Sequence, residues 1–147
     1  MNYVLETEQD PESKNFILLW SREQHEEAIG NTDYLHLVVE DRDRKQIGYV
    51  IVLGMLNPNS CFEILRINLS VRNKGYGKKV MKLVMNYLFI QLEAHRVWLD
   101  VREGNIRAIN LYKSLGFKLE GTLRECIKNE GKYDSLLLMG ILKTEYV

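Results

Sequence analysis

A strand that runs through a glycine-containing turn into a helix constrains the fold of this chain more than any other feature. The strand covers residues 61–69, and apolar residues at helical spacing then predict an amphipathic helix from 75 to about 92. Gly75 and Gly77 in the turn allow close approach of the backbone to a ligand. The free N–H groups of such a helix start form a site for phosphate. Four nearby bases add positive charge: Arg72, Lys74, Lys78 and Lys79.

The rest of the chain predicts a mixed order of helices and strands. A short strand is expected at 3–7, followed by a helix that starts at Pro11 and carries Phe16, Leu19 and Trp20 on its apolar stripe. A second capped helix follows from Ser21 to Gly30. Later strands are predicted at 34–39, 47–55, 96–101, 117–119 and 133–142, with a helix ended by Gly116 between the third and fourth of these. This order predicts one mixed sheet with helices packed on it, in a single domain spanning 1–147.

Composition excludes several classes of protein. The 147 residues are 46% hydrophobic and 27% charged, as in an ordinary globular domain. Lys and Arg total 20, as do Asp and Glu, so a general affinity for nucleic acid is not expected. The two cysteines and three histidines match no metal-ligand spacing, so no metal is expected: Cys61, Cys126, His25, His36 and His95. Without a secretory segment or a membrane-length apolar run, we expect a cytoplasmic protein with no membrane contact.

Charge is distributed unevenly along the chain. Residues 1–43 contain eleven acids and three bases, whereas residues 64–92 contain six bases and no acid. The basic stretch surrounds the two glycines, which favours an anion site. The acidic stretch has two interpretations. It is a solvated helix face, which charge runs usually are, or it lines an acceptor site for a cation with Trp20, Tyr34, Glu23, Glu26 and Glu27.

The glycine turn is compatible with one of three nucleotide motifs. A P-loop is excluded because Arg72 and Lys79 occupy its obligatory glycine and Ser/Thr positions, and Val80 stands where a dinucleotide fingerprint has its third glycine. The pattern Arg/Gln-x-x-Gly-x-Gly/Ala is met in full from Arg72 to Gly77. Here the sequence resembles the acetyl-CoA pyrophosphate loop of the GNAT superfamily of N-acetyltransferases. The alternative is a glycine-containing turn before an ordinary helix.

A second segment extends the resemblance. The string Asn-x-x-Ala-x-x-Leu-Tyr-x-x-x-Gly-Phe, from Asn105 to Phe117, is similar to the GNAT segment that follows the cofactor loop. The resemblance implies that Asn105 contacts the pantetheine arm and that the Tyr112 hydroxyl faces the thioester sulfur. By base rates alone, Tyr112 on an apolar stripe is a core tyrosine. The resemblance further implies an α/β (α+β) fold, a GNAT-like mixed central sheet with helices on both faces. The expected cofactor contacts are Ile67, Asn68, Leu69, Arg72, Asn73, Lys74, Gly75, Tyr76, Gly77, Lys78, Asn105 and Tyr112.

The resemblance implies direct transfer of an acetyl group from acetyl-CoA to a primary amine within a ternary complex. Such an amine, with a pKa of about 10.4, must lose a proton, which costs roughly 4.6 kcal/mol at pH 7. Glu63 is the candidate base because it shares the predicted strand with apolar residues, placed on one face with Leu65, Ile67 and Leu69, which would raise its pKa. The alternatives are an ordered water as base, or Glu63 at a strand end, in solvent or paired with Arg66. Tyr112 is the candidate acid for the departing thiolate.

The sequence leaves alternatives for both the acceptor substrate and the oligomeric state. Residues 120–125 and 133–134 show a looser likeness to GNAT branches that act on ribosomal-protein N-termini or polyamines, so the acceptor is a small amine or a protein N-terminus. The final strand, 136–142, is either an inner strand or pairs with a second chain to make a homodimer. Two other functions compete: a non-catalytic CoA-binding or regulatory module, and a nucleotide-binding protein.

Overall fold

The computed structural model describes residues 2–4, 17–20, 33–69 and 76–146. Within these ranges, eight strands form one sheet. The strands are β1 (Asn2–Val4), β2 (Ile17–Trp20), β3 (Tyr34–Glu40), β4 (Gln46–Leu53), β5 (Cys61–Leu69), β6 (Arg96–Arg102), β7 (Lys118–Asn129) and β8 (Lys132–Leu142), and the helices are α1 (Tyr76–Asn86) and α2 (Ile106–Ser114).

The sheet is mixed, with strand order β1-β2-β3-β4-β5-β6-β8-β7. Strands β1 to β5 pair antiparallel in sequence order. Strand β6 lies parallel to β5 and is reached through α1, as a parallel connection requires. The hairpin β7–β8 then closes the sheet, with β8 inside and β7 at the edge.

Alternation along the strands builds the core. Leu35, Leu37 and Val39 on β3 are buried, whereas the residues between them are only half-buried. Helix α1 covers this face of the sheet with an apolar stripe of Val80, Met81, Leu83, Val84 and Met85. Each large side chain buried in this way stabilises the fold by about 1.5–3 kcal/mol. Packing against the sheet therefore holds α1 in place.

The end of the chain is tied to the end of α1. A π-helical turn, Tyr87–Gln91, continues α1. The ring of Phe89 in that turn stacks on Tyr146 with centroids 4.7 Å apart. The Tyr146 hydroxyl donates a hydrogen bond to Asn86 Oδ1 at 3.2 Å. Helix α1 is thus fixed from both the sheet and the C-terminal segment.

Most predicted elements are confirmed, including β3 to β6, both described helices and the end of α2 at Gly116, where φ is +101°. This mixed sheet with helices packed on it confirms the predicted fold class. The helices predicted at Pro11 and from Ser21 to Gly30 lie outside the described residues. Among the described residues, no helix combines the length and apolar character needed to cross a membrane.

Two predictions at the sheet edges are wrong. Leu19 and Trp20 belong to β2 and not to a helix, because Ile17–Trp20 pairs with β3 and adds to the sheet. Strand β7 continues to Asn129 and does not end at Leu119, because two register shifts let a charged segment stay paired with β8. Of the two alternatives for residues 136–142, the structure shows the inner strand: β8 lies between β6 and β7, and the described sheet ends at β1 and β7.

Candidate active site

The central feature of the site is a separation between β5 and β6. The two strands pair over only three positions, Cys61–Arg96, Phe62–Val97 and Glu63–Trp98. Beyond Glu63, β5 runs on to Leu69 and stays paired with β4 alone, while β6 runs on to Arg102 beside β8. The sheet therefore opens into a cleft between its fifth and sixth strands, with backbone N–H and C=O groups of β5 available to a ligand.

A bulge in β5 lies where the cleft begins. Val52 pairs with Ile64, but the next residue, Ile51, pairs with Arg66, so Leu65 is an extra residue in β5. A bulge bends the strand and increases its twist, which turns β5 away from β6. Leu65 itself is exposed. The expectation that Glu63 lies on an apolar strand face is corrected here: the core face of β5 carries Phe62 and Ile64, and Glu63 lies on the opposite face.

The predicted cofactor contacts fall on both sides of a part of the turn that lies outside the described residues, Arg72, Asn73, Lys74 and Gly75. Before it, Ile67, Asn68 and Leu69 form the end of β5. After it, Tyr76, Gly77 and Lys78 form the first turn of α1, which contains no acid. A helix start without acidic residues leaves its partial positive charge free for an anion.

Strand β4 fixes the end of β5 through a close backbone contact. A Cβ atom on Gly48 would lie 2.2 Å from the Asn68 carbonyl oxygen and 2.7 Å from Leu69 Cδ2. Because an alanine does not fit there, glycine permits the approach of the two strands that positions Asn68 and Leu69 at the cleft.

Asn105 is the N-cap of α2. Its Oδ1 accepts a hydrogen bond from the Ala108 N–H at 3.2 Å. The cap uses the amide oxygen, and the amide NH2 group of this exposed residue is left to donate elsewhere. A structural role and a cofactor contact are therefore compatible in the same side chain.

Tyr112 lies half-buried on α2. Its ring contacts Phe117, with centroids 5.8 Å apart and planes tilted by 58°. Its backbone carbonyl accepts the N–H groups of Leu115 and Phe117, which fixes the helix end beneath the ring. Burial, and then the negative charge of Asp100, raise the pKa of the Tyr112 hydroxyl. The hydroxyl thus stays protonated at neutral pH, as a proton donor must.

Glu63 is half-buried at the point where the cleft starts. Burial, and then the charge of Asp100, raise the pKa of its carboxyl above the ordinary value. A raised pKa makes the ionised carboxylate a better proton acceptor. Since Asp100 acts on both groups, Glu63 and Tyr112 lie within electrostatic reach of a single carboxylate on β6.

Sequence reasoning missed Asp100. It stands on β6, where Trp98, Asp100 and Arg102 alternate with the buried Val97, Leu99 and Val101. That alternation is visible in the sequence, and it indicates that Asp100 lies on the face of β6 opposite the core. The proximity of Asp100 to Glu63 could not be predicted from the sequence, because it depends on the register between β5 and β6.

The other candidate residues do not form a second reactive cluster in the described ranges. Cys61 and Cys126 are both free thiols, and Cys61 Sγ lies 3.5 Å from the Asn59 carbonyl oxygen. The described histidines, cysteines and acids contain no group of three that would hold a metal ion. Glu23, Glu26, Glu27 and His25 lie outside the described residues, and Trp20 is placed in β2, where it pairs with Leu37.

Comparison with known proteins decides the family. The model of the acetyltransferase (GNAT) family matches residues 1–117. This chain belongs to the GNAT family. It is accordingly an acetyl-CoA-dependent N-acetyltransferase that acts on an amine, and the two rival functions are set aside.

Similar proteins include spermidine acetyltransferases. The spermidine N(1)-acetyltransferase of Vibrio cholerae is 28% identical over 148 residues, which cover 92% of this chain and 84% of that protein. The enzyme of the same name from Escherichia coli K12 is 27% identical over 139 residues, covering 87% and 74%. A crystal structure of the Vibrio cholerae spermidine N-acetyltransferase in complex with CoA and spermine superposes with a TM-score of 0.77 at 28% identity, covering 84% of this chain and 74% of that one.

Proposed function

We propose that this GNAT acetyltransferase acetylates a primary amino group of a polyamine, with Glu63 as the base and Tyr112 as the acid. The observation that carries the proposal is the cleft between β5 and β6, which begins at Glu63, a half-buried carboxyl of raised pKa. Tyr112 feels the same Asp100 charge as Glu63. A cationic amine suits this site because two carboxylates, Glu63 and Asp100, flank the start of the cleft, and both arginines of β6 are ion-paired with acids of the β7–β8 hairpin.

The names of similar proteins support the same acceptor class. Both enzymes reported above are named for spermidine, and the superposed structure holds spermine with CoA. A protein N-terminus is the alternative acceptor. It carries a single cationic amine followed by a peptide, so it differs from a polyamine in lacking a second nearby ammonium group.

The described cleft fits acetyl-CoA as the acetyl donor. Backbone groups from Ile67 to Leu69 line its β5 side, and α1 presents an acid-free first turn. In the proposed arrangement, Tyr76, Gly77 and Lys78 bind the pyrophosphate together with Arg72, Asn73, Lys74 and Gly75. The Asn105 amide NH2 donates to the pantetheine arm while its oxygen caps α2. A β5 backbone N–H polarises the thioester carbonyl.

Two side chains, Glu63 and Tyr112, act as proton acceptor and proton donor in the proposed reaction. Glu63, directly or through an ordered water, removes the proton from the bound ammonium group, and the free amine attacks the thioester carbonyl in a ternary complex. As the C–S bond breaks, the nitrogen of the tetrahedral intermediate gives its second proton to solvent, the acetyl group stays on that nitrogen, and CoA leaves as the thiol. Tyr112 gives its proton to the departing sulfur and is reprotonated from solvent. No metal is part of this proposal.

We further propose that the protein works in the cytoplasm, supported by its two free thiols, and that it assembles with copies of itself. Support for assembly is the exposed edge strand β7, with Leu119 and Leu123 accessible. A similar Vibrio cholerae spermidine N-acetyltransferase forms a dodecamer.

Free-thiol release in the presence of acetyl-CoA tests the proposed activity. The amines to compare are spermidine, spermine, a simple monoamine and a peptide with a free N-terminus. Preferred turnover of the polyamines supports the proposal. Preferred turnover of the peptide assigns the protein N-terminus instead, and absence of turnover with every amine contradicts both.

A further inference from the structure

Asp100 lies on the open face of β6, immediately beyond the last pair that joins β5 to β6. Its strand neighbour on that face is Trp98, which pairs with Glu63. With a rise of about 3.3 Å per residue and strands about 4.8 Å apart, the Cα atoms of Glu63 and Asp100 lie roughly 8 Å apart. Asp100 therefore borders the cleft at its starting point, opposite the proposed base.

Among the residues that the structure describes, no neighbour assigns the Asp100 carboxylate a structural role. Across the sheet, its partner on β8 is Leu138, and the partner of Leu138 on β7 is Gly121. A leucine and a glycine offer no charge to an aspartate. No ion pair of Asp100 occurs in the described part of the chain.

The two arginines on the same face of β6 are engaged by other acids. Arg96 forms a bidentate ion pair with Glu120 of β7, at 2.7 and 2.8 Å. Arg102 reaches Asp134 of β8, with Nη1 and Oδ2 separated by 3.4 Å. Both guanidinium groups thus contact acids of the β7–β8 hairpin. Neither of them pairs with the Asp100 carboxylate, which lies between them on β6.

We propose that Asp100 is a specificity residue of the acceptor site: its carboxylate binds an ammonium group of the polyamine other than the one that is acetylated. This inference rests on the proposed function. A polyamine carries its second ammonium a short carbon chain away from the reacting nitrogen, and the Glu63–Asp100 spacing suits one molecule that reaches both carboxylates. A charge-assisted contact of this kind is roughly twice as strong as a neutral hydrogen bond.

The contact distinguishes polyamines from monoamines. A monoamine at Glu63 has no second charge to place at Asp100, so it gains nothing from that carboxylate. The electrostatic effect of Asp100 on Glu63 and Tyr112 acts on every acceptor alike. A difference between acceptors therefore separates direct binding from an effect that acts through the other two groups.

The test compares Asp100→Asn, Asp100→Glu and the control Asp43→Asn, which removes one negative charge from the exposed β3–β4 loop. KM is measured for spermidine, for a monoamine of similar length and for acetyl-CoA. Calorimetric titration of the CoA-bound protein with spermidine gives affinity without any need for turnover. Melting temperatures verify that each variant is folded.

For Asp100→Asn we expect KM and Kd for spermidine to rise about tenfold or more, with the KM of the monoamine and of acetyl-CoA changed less than twofold. Asp100→Glu should recover most of the affinity, and Asp43→Asn should match the wild type. Equal changes for spermidine and the monoamine, or no change for spermidine, overturn the inference while the acetyltransferase function stands. A wild-type protein that acetylates the peptide but neither binds nor acetylates spermidine overturns both the polyamine proposal and this inference.

Discussion

Glu63 on β5 pairs with Trp98 on β6, and that pair is the last one before the two strands separate. The bulge at Leu65 follows directly and directs the rest of β5 away from β6. The base proposed for the reaction thus stands at the point where the sheet opens. Its position follows from strand pairing, which makes it as rigid as the sheet itself.

Replacement of Tyr112 by Phe should lower kcat about 100-fold or more, because the departing thiolate loses its proton donor. Affinity for acetyl-CoA should stay within twofold, since the ring and its contact with Phe117 are kept. The measurements are steady-state rates and the thermal shift produced by acetyl-CoA. Tyr133→Phe is the matched control, because Tyr133 is exposed on the β7–β8 hairpin. Unchanged kcat in Tyr112→Phe would remove Tyr112 from the mechanism.

The pH dependence should report the raised pKa of Glu63. A base works only when ionised, so kcat/KM should fall as pH drops through a pKa above the ordinary glutamate range. Asp100→Asn removes a negative charge that raises this pKa, and the acidic limb should therefore move to lower pH. In Glu63→Gln the limb should disappear, and the rate should be low at every pH. A limb that persists in Glu63→Gln identifies another group as the base.

Asn105 offers a way to separate a helix cap from a cofactor contact. Asn105→Ala loses the bond to the Ala108 N–H and should lower the free energy of unfolding by about 1 kcal/mol. Asn105→Asp retains an oxygen at the cap but has no NH2 group. Its stability should equal that of the wild type, whereas its affinity for acetyl-CoA should be severalfold weaker. Denaturant unfolding and calorimetric titration measure the two effects; full affinity in Asn105→Asp would assign the residue to capping alone.

Gly48→Ala should damage stability and cofactor binding together. The added methyl group would lie 2.2 Å from the Asn68 carbonyl oxygen, and a backbone atom cannot move aside as a flexible side chain does. We expect a loss of about 2 kcal/mol or more in the free energy of unfolding. We also expect weaker binding of acetyl-CoA, because the end of β5 must shift. Gly104→Ala is the control, since a Cβ there meets nothing within 4 Å. Equal stability of the two variants would contradict this account of the β4–β5 contact.

Local sequence patterns predicted much of the fold. Alternation defined β3 and β6, and the apolar stripe of α1 was visible in the residues from Val80 to Leu88. Both family motifs are local as well, so the glycine turn and the Asn105–Tyr112 segment could be recognised without a structure. What these features share is that neighbours in sequence determine them.

Features that depend on pairing between distant segments could not be predicted. Strand β2 is four apolar residues without a clear period, and its pairing with β3 makes it a strand. Strand β7 is mostly exposed and rich in charged residues, and its pairing with β8 keeps it extended. The separation of β5 from β6 and the location of Asp100 beside Glu63 arise in the same way. The candidate residues could therefore be proposed from the sequence, whereas their arrangement in space could not.

The most direct test of the central claim is thiol release from acetyl-CoA on addition of spermidine, followed by mass measurement of the product. We predict turnover that saturates in both substrates and a spermidine mass increased by one acetyl group. Tyr112→Phe should reduce the rate while the protein still melts at a higher temperature with acetyl-CoA. A wild-type protein that acetyl-CoA stabilises, but that releases no thiol with spermidine, spermine or any other amine, would contradict the account.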